Sequence, residues 1–299
     1  MSNAKTYDPR TKVLKKFLQD HDDVLLLKVD KQADLLFMTK SQYNEIIKNL
    51  LDQNFTKLEG YDRNSLENDL QEYRKLITKT FSGSLPIWKI RSLFPNYSLS
   101  NFYGSPKLHK AGEPLRGLAS FYDSLVYKAE TFLKKLLKPI SEDCSYSIKN
   151  TKIFKENFLK DRSGFDHKIH RVITADICQM YSNVNVVRTI SIILDKIYAD
   201  PKKFFDFKGI DGNILPPPKR EYLKTFLLKT LQKYSIVNTP IGVYQQKSGL
   251  NMGSALSPLL SNIFVDALES KVVEKYIKLG RVIHYSRFAD DSLIILHKN

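Results

Sequence analysis

The run Ser286-Arg287-Phe288-Ala289-Asp290-Asp291-Ser292-Leu293-Ile294-Ile295-Leu296 sets two adjacent carboxylates between two apolar stretches that neither Gly nor Pro interrupts. Aspartate is poor inside a strand and good at a turn, so the pattern predicts two β-strands joined by a tight turn. Asp290 and Asp291 then sit at the tip of a hairpin. Two like charges held there repel unless a cation lies between them. All-oxygen donors suit Mg²⁺ or Mn²⁺ rather than zinc. Taken alone, the pair reads first as a solvated turn, and a cation site requires a third carboxylate elsewhere in the chain.

The chain has 299 residues and is 42% apolar, enough for one large domain or two modest ones with a sizeable core. Lys and Arg number 47 against 32 Asp and Glu, a formal charge of +15. Such an excess implies a polyanionic partner, most simply nucleic acid. No apolar run reaches the roughly 18 residues a membrane span needs, and Met1 to Arg10 lacks a signal-peptide core. Cys144 and Cys178 have no close Cys or His partners, and no HExxH or CxxC occurs. Zinc and a disulfide framework are therefore not expected, and the expected location is intracellular, nucleus or cytoplasm.

In chain order, Val24 to Lys28 and Leu35 to Met38 predict a hairpin, and Ser41 can cap a helix with Tyr43, Ile47 and Leu51 on one face. Asn64, three residues before Glu67, suggests the start of a second helix. Pro86 to Tyr103 reads as a connector. Two short strands turning at Ala111-Gly112 bring Lys107, Lys110 and Arg116 together, either as a basic surface hairpin or as a phosphate clamp. A helix around Leu125 to Leu137 is ended by Pro139, and Ser145 to Asp161 continues as helix. Arg171 to Ile177 is a strand ending in Asp176, which can be a helix cap or the third acid. Tyr181 follows five positions on, either a packed tyrosine or one folded back over the same pocket. Pro216-Pro217-Pro218 is the plainest linker signal and precedes a helix from Glu221 to Tyr234. A hairpin over Ser235 to Gln245 leads into Gly249 to Pro258, where the glycines permit close backbone approach, Ser257 can cap and Pro258 suits the first helical position.

The order of these parts is that of a polymerase palm, in which carboxylates from two non-adjacent strands bracket the cations that align phosphoryl transfer. Phe288-Ala289-Asp290-Asp291, Asp176 through Tyr181, Met252-Gly253-Ser254-Ala255-Leu256-Ser257-Pro258 through Asn262, and Ser105 to Lys110 with Pro114-Leu115-Arg116 together resemble the motifs of reverse transcriptases. Within that group they are similar to the Penelope-like retroelement polymerases, relatives of telomerase. Val29-Asp30-Lys31, Tyr43 and Leu50 to Phe55 resemble that family's N-terminal region, so the likeness runs from about residue 23 to 296.

The resemblance implies an α+β fold with right-hand polymerase fingers and palm, an antiparallel palm sheet backed by helices, and no thumb within the chain. Residues 1–100 would form a helical and hairpin extension leading into the fingers, and 101–299 the fingers and palm. It implies RNA-directed DNA synthesis on an RNA template and DNA primer with dNTP substrates, two Mg²⁺ or Mn²⁺ ions and no membrane. Asp176, Asp290 and Asp291 would be catalytic and bind metal, Asp290 the more direct ligand of its pair, with the Ile177 carbonyl a further donor. Lys107 and Arg116 would hold the triphosphate, Tyr181 would exclude a 2′-hydroxyl, and Gly253 and Ser254 would shape the nucleotide pocket. Lys110, Ser257 and Asn262 would contact nucleic acid, Asn262 also bracing the pocket. Gly117 stands where the family usually has Pro, which predicts a looser fingers hairpin, and Gln32 stands where Gly is usual. The chain ends at Asn299, short of the family's thumb and GIY-YIG endonuclease, so weak primer extension is expected.

Overall fold

The structure, a computed structural model, describes residues 9–30, 33–107, 115–161 and 165–298. Gln32, Lys110 and the expected turn at Ala111-Gly112 lie outside them. α1 (Pro9–Asp20) leads into an antiparallel hairpin of β1 (Val24–Lys28) and β2 (Leu35–Thr39). α2 (Lys40–Asn54) starts at Thr39 rather than Ser41: the Thr39 hydroxyl accepts the Gln42 N–H, and the Gln42 side chain returns a bond to the Thr39 N–H. β3 (Phe55–Lys57) follows, then α3 (Arg63–Phe81), capped by Asp62 rather than Asn64 through a 2.8 Å bond from the Ser65 N–H. Both corrections have one cause. A cap must keep extended backbone, as Thr39 and Asp62 do, and Ser41 and Asn64 already lie in the first helical turn.

The expected connector contains α4 (Ile87–Ser92), after which β4 (Ser100–Pro106) pairs with β5 (Leu115–Ser120). Their ladder is unbroken from Asn101 opposite Ser120 to Pro106 opposite Leu115, so the loosening expected at Gly117 does not occur. Instead the Phe102 ring fills the space of the missing side chain, 2.6 Å from where a Cβ would stand. α5 (Tyr127–Glu142) runs through Pro139 instead of ending there, because Leu136, Leu137 and Ile140 are all buried and their packing outweighs the lost hydrogen bond. α6 (Thr151–Asp161) begins later than expected, since the segment before it bridges to another strand, Ser147 against Arg287.

β6 (His170–Asp176), α7 (Val186–Ala199) and α8 (Arg220–Leu231) come next. The triple proline joins two helices that pack on each other, and the Tyr198 hydroxyl donates to the Pro218 carbonyl at 2.5 Å. It is therefore an internal loop rather than a boundary. β7 (Ile236–Thr239) and β8 (Gly242–Gln246) form the expected hairpin, then come α9 (Ser257–Lys278), β9 (Val282–Phe288) and β10 (Asp291–His297). Ser257 does not cap α9; no side chain does, and Leu256 occupies the cap position.

Two larger sheets result among the described residues. One has the order β3-β8-β7-β4-β5, with β4 and β7 parallel, and the other has the order β6-β10-β9, all antiparallel. Helices α5, α7 and α9 pack together, α9 also against β9, and one contiguous apolar core runs from Tyr43 to Ile263. The outcome is the α+β fingers-and-palm architecture, a palm sheet backed by helices. Among the described residues no helix is long and apolar enough to cross a membrane.

Candidate active site

β6 ends on Asp176 and β10 begins on Asp291; the strands, expected to be non-adjacent, are neighbours in the sheet because the β9–β10 hairpin folds back onto β6, and the two residues are direct cross-strand partners. Phe288 of β9 lies opposite Asp291 on the other side. Opposed residues of an antiparallel pair share a face, so Asp176, Asp291 and Phe288 project together. They line a cavity of about 530 Å³ with Thr174, Leu293 and Phe154. Asp290 occupies the second position of the two-residue turn, and its carbonyl accepts the Ile177 N–H at 2.9 Å. Only the first turn residue, Ala289, has positive φ, at 55°. That is the type II′ pattern, which normally calls for Gly, and holding Ala there costs about 1–3 kcal/mol. Gln179, in the loop after Asp176, is also left-handed at φ 49°. Backbone strain thus lies on both sides of the acids.

Where Asp176 and Asp291 meet, the donors are carboxylate oxygens, which fits a hard divalent cation. Among the described residues no three His, Cys, Asp or Glu side chains form a ready metal cage. The chain brings Asp176 face to face with Asp291 and leaves Asp290 beside them on the turn.

Tyr181 is half-buried, and burial together with the Asp290 charge raises its phenol, so it stays neutral at physiological pH. Its carbonyl accepts the Leu250 N–H at 2.9 Å, which draws the Gly249–Gly253 loop onto the Asp176–Tyr181 segment. The far side of that loop rests on β5, where the Ala119 N–H donates to the Met252 carbonyl at 2.9 Å. Gly253 has φ 110°, and a Cβ there would come 2.1 Å from the Ala119 carbonyl oxygen. Ser254 is buried, and its hydroxyl donates to Glu130 at 2.8 Å while the Ala255 N–H donates to the other carboxylate oxygen at 3.3 Å. Glu130 is 1% exposed, and burial pushes its pKa up to about 7 against those two bonds. Ser257 is buried under the loop, donating to the Asn251 carbonyl at 2.6 Å. Asn262 donates to the Ser141 hydroxyl at 3.2 Å and accepts from Arg287 at 2.9 Å. Ser257 is fully covered by these contacts, whereas Asn262 stays partly exposed while bracing α9 against α5 and β9.

Arg116 is held by Asp30 at 3.1 Å, with most of both side chains covered. Lys107 is partly buried at the end of β4. Three further residues escaped the sequence reading: Glu130, Arg287 and Glu269. The signal for the last was present in α9, where Asn262, Asp266 and Glu269 recur at spacings of four and three and mark a polar stripe on a helix otherwise read only for its apolar face. Arg287 and Glu269 are 1% and 7% exposed, joined by a 2.6 Å ion pair.

A sheet carrying paired carboxylates at a hairpin tip, with a glycine loop between it and a second sheet, is the arrangement of a polymerase fingers-and-palm fold. The match to the family "Reverse transcriptase (RNA-dependent DNA polymerase)" covers residues 127–299, more than half of the chain, and the protein belongs to that family. Among solved structures it is similar to telomerase from Candida albicans in complex with a fragment of telomeric RNA, at 12% identity and TM-score 0.56, covering 99% of this chain and 50% of that one. Apo telomerase from Candida tropicalis, truncated from its C-terminal domain, gives 13% identity, TM-score 0.56 and coverage of 91% and 52%. At such identities the likeness speaks for the fold, and the chain spans about half the length of these telomerases. No curated protein matches the sequence.

Proposed function

We propose that the protein is an RNA-directed DNA polymerase of a Penelope-like retroelement, adding dNTPs to a primer 3′-hydroxyl on an RNA template. The observation that carries this reading is the register that sets Asp176 opposite Asp291 at the mouth of one cavity, with Asp290 on the adjoining turn. Asp176, Asp290 and Asp291 would hold two divalent cations, Mg²⁺ or Mn²⁺, with the Ile177 carbonyl as a further donor. When bound, such ions neutralise the phosphates and align the attacking and leaving oxygens. The chain's own groups do the rest. Arg116 and Lys107 bind the triphosphate, Arg116 by exchanging its Asp30 partner for a phosphate oxygen. Tyr181 sets its neutral ring beneath the sugar, where bulk leaves no room for a 2′-hydroxyl. Gly253 lets its loop close onto β5 at Ala119, where with Ser254, held by Glu130, it would shape the nucleotide pocket. Lys110 would contact the nucleic-acid backbone.

Primer extension by the purified chain tests this directly, with an RNA template, a DNA primer and Mg²⁺ or Mn²⁺. Incorporation of dNTPs in preference to NTPs is expected, and Asp290→Asn should lower it by at least about 100-fold. Binding of RNA without incorporation would mark a nucleic-acid-binding chain without catalysis. A preference for NTPs would mark an RNA polymerase.

A further inference from the structure

Arg287 is an unusual residue for a strand: a guanidinium almost wholly removed from water, next to the last residue of β9 and one before the Phe288-Asp291 pair. Each of its three nitrogens has a separate task. Nε donates to Glu269 at 2.6 Å, Nη2 to Asn262 at 2.9 Å, and Nη1 to the carbonyl of Ala289 at 2.9 Å. The first two partners lie on α9, and the third is the strained residue of the turn that bears Asp290. The backbone of Arg287 is fixed as well, its N–H donating to the Tyr146 carbonyl and its carbonyl accepting the Ile148 N–H. Glu269 is steadied in turn by the Tyr285 hydroxyl at 2.5 Å, and burial with that bond pushes the Tyr285 phenol up to about 12.

A buried ion pair adds little net stability compared with apolar packing of the same volume. A planar fork with several donors gives something else, a fixed direction for each bond it makes. Here one bond is aimed at the peptide that must stay left-handed for the turn to close in two residues. We infer that Arg287 is the positioning residue of the acidic turn: with Glu269 and Asn262 as its anchors on α9, it holds the Ala289 carbonyl and so sets Asp290 and Asp291 against Asp176. The link to cations and catalysis rests on the function proposed above, whereas the grip on the turn does not.

Two variants separate this role from simple support. Arg287→Lys keeps a cation for Glu269 but loses the fork. Arg287→Met combined with Glu269→Met removes both buried charges at once, so that neither is stranded if the single variant folds poorly. Amide hydrogen exchange at Ile177, whose N–H is bonded to the Asp290 carbonyl, reports the turn without any need for activity. In variants whose urea midpoint stays near that of the parent chain, exchange at Ile177 should quicken about tenfold or more, while amides of α3 and α8 keep their rates. Mn²⁺ affinity read by electron paramagnetic resonance should weaken about 10–100-fold, and kcat should fall over the same range with little change in the dNTP KM. Parental exchange at Ile177 in the folded double variant would overturn the inference. The catalytic reading itself stands or falls separately on incorporation by the parent chain and on Asp290→Asn. Exchange at Ile177 decides the role of Arg287 even if nothing is incorporated.

Discussion

Gly253 shows how much one missing side chain can matter. Its φ of 110° lies outside what an L-residue adopts, and the nearest atom to a built Cβ is a backbone oxygen of β5 that cannot swing away. Gly253→Ala should therefore destabilise the fold by roughly 2–4 kcal/mol, combining backbone strain with overpacking. Urea denaturation checks this, and a midpoint equal to the parent's would mean that the loop is not docked on β5. Gly253 was legible in the sequence as a point of close approach, but what it approaches was not. Asp176, Asp290 and Asp291 were legible as acids at strand ends, because turn chemistry and apolar flanks mark them. Arg287 was not, since a charge in a strand reads as exposed until a helix is found to cover it. Its partner Glu269 lies 18 positions away on α9, and no local pattern joins the two.

Among the elements, the strands and most helices followed from apolar periodicity, whereas helix ends followed it less well. Thr39, Asp62 and Pro139 differ from the sequence reading because caps and continuations depend on backbone angles and tertiary packing that periodicity does not encode. α5 adds a consequence of its own. Its buried Glu130 carries the loop that precedes α9, and its pKa is raised from 4.5 to about 7 by burial. Between those values the folded chain keeps a proton that the unfolded chain has lost, so this group's contribution to stability is complete below about pH 4.5 and is lost as pH rises through about 7. Glu130→Gln should flatten that dependence. Relative to the parent chain the variant should gain on the order of 3 kcal/mol between pH 4.5 and pH 8. Denaturation midpoints across that range would show it, and parallel curves for the two proteins would assign the titration to other groups.

For the whole molecule, the excess of basic residues makes a prediction that no single contact makes. With a formal charge of +15, binding to an RNA–DNA duplex should release counterions and weaken steeply with salt. If six or more phosphates are neutralised, affinity should fall about 10³-fold or more between 50 and 200 mM salt. Fluorescence anisotropy against salt concentration measures the slope, and a shallow line would mean that the lysines and arginines serve another purpose. The two sheets that share this charge are not free to wander past each other. The Gly249–Gly253 segment is tethered to β5 at Met252 and to the Tyr181 carbonyl at Leu250. One short run of backbone is thereby stitched on one side to the β4–β5 hairpin and on the other to the loop that follows Asp176, so the two halves of the molecule meet through main-chain bonds that no side-chain substitution removes directly.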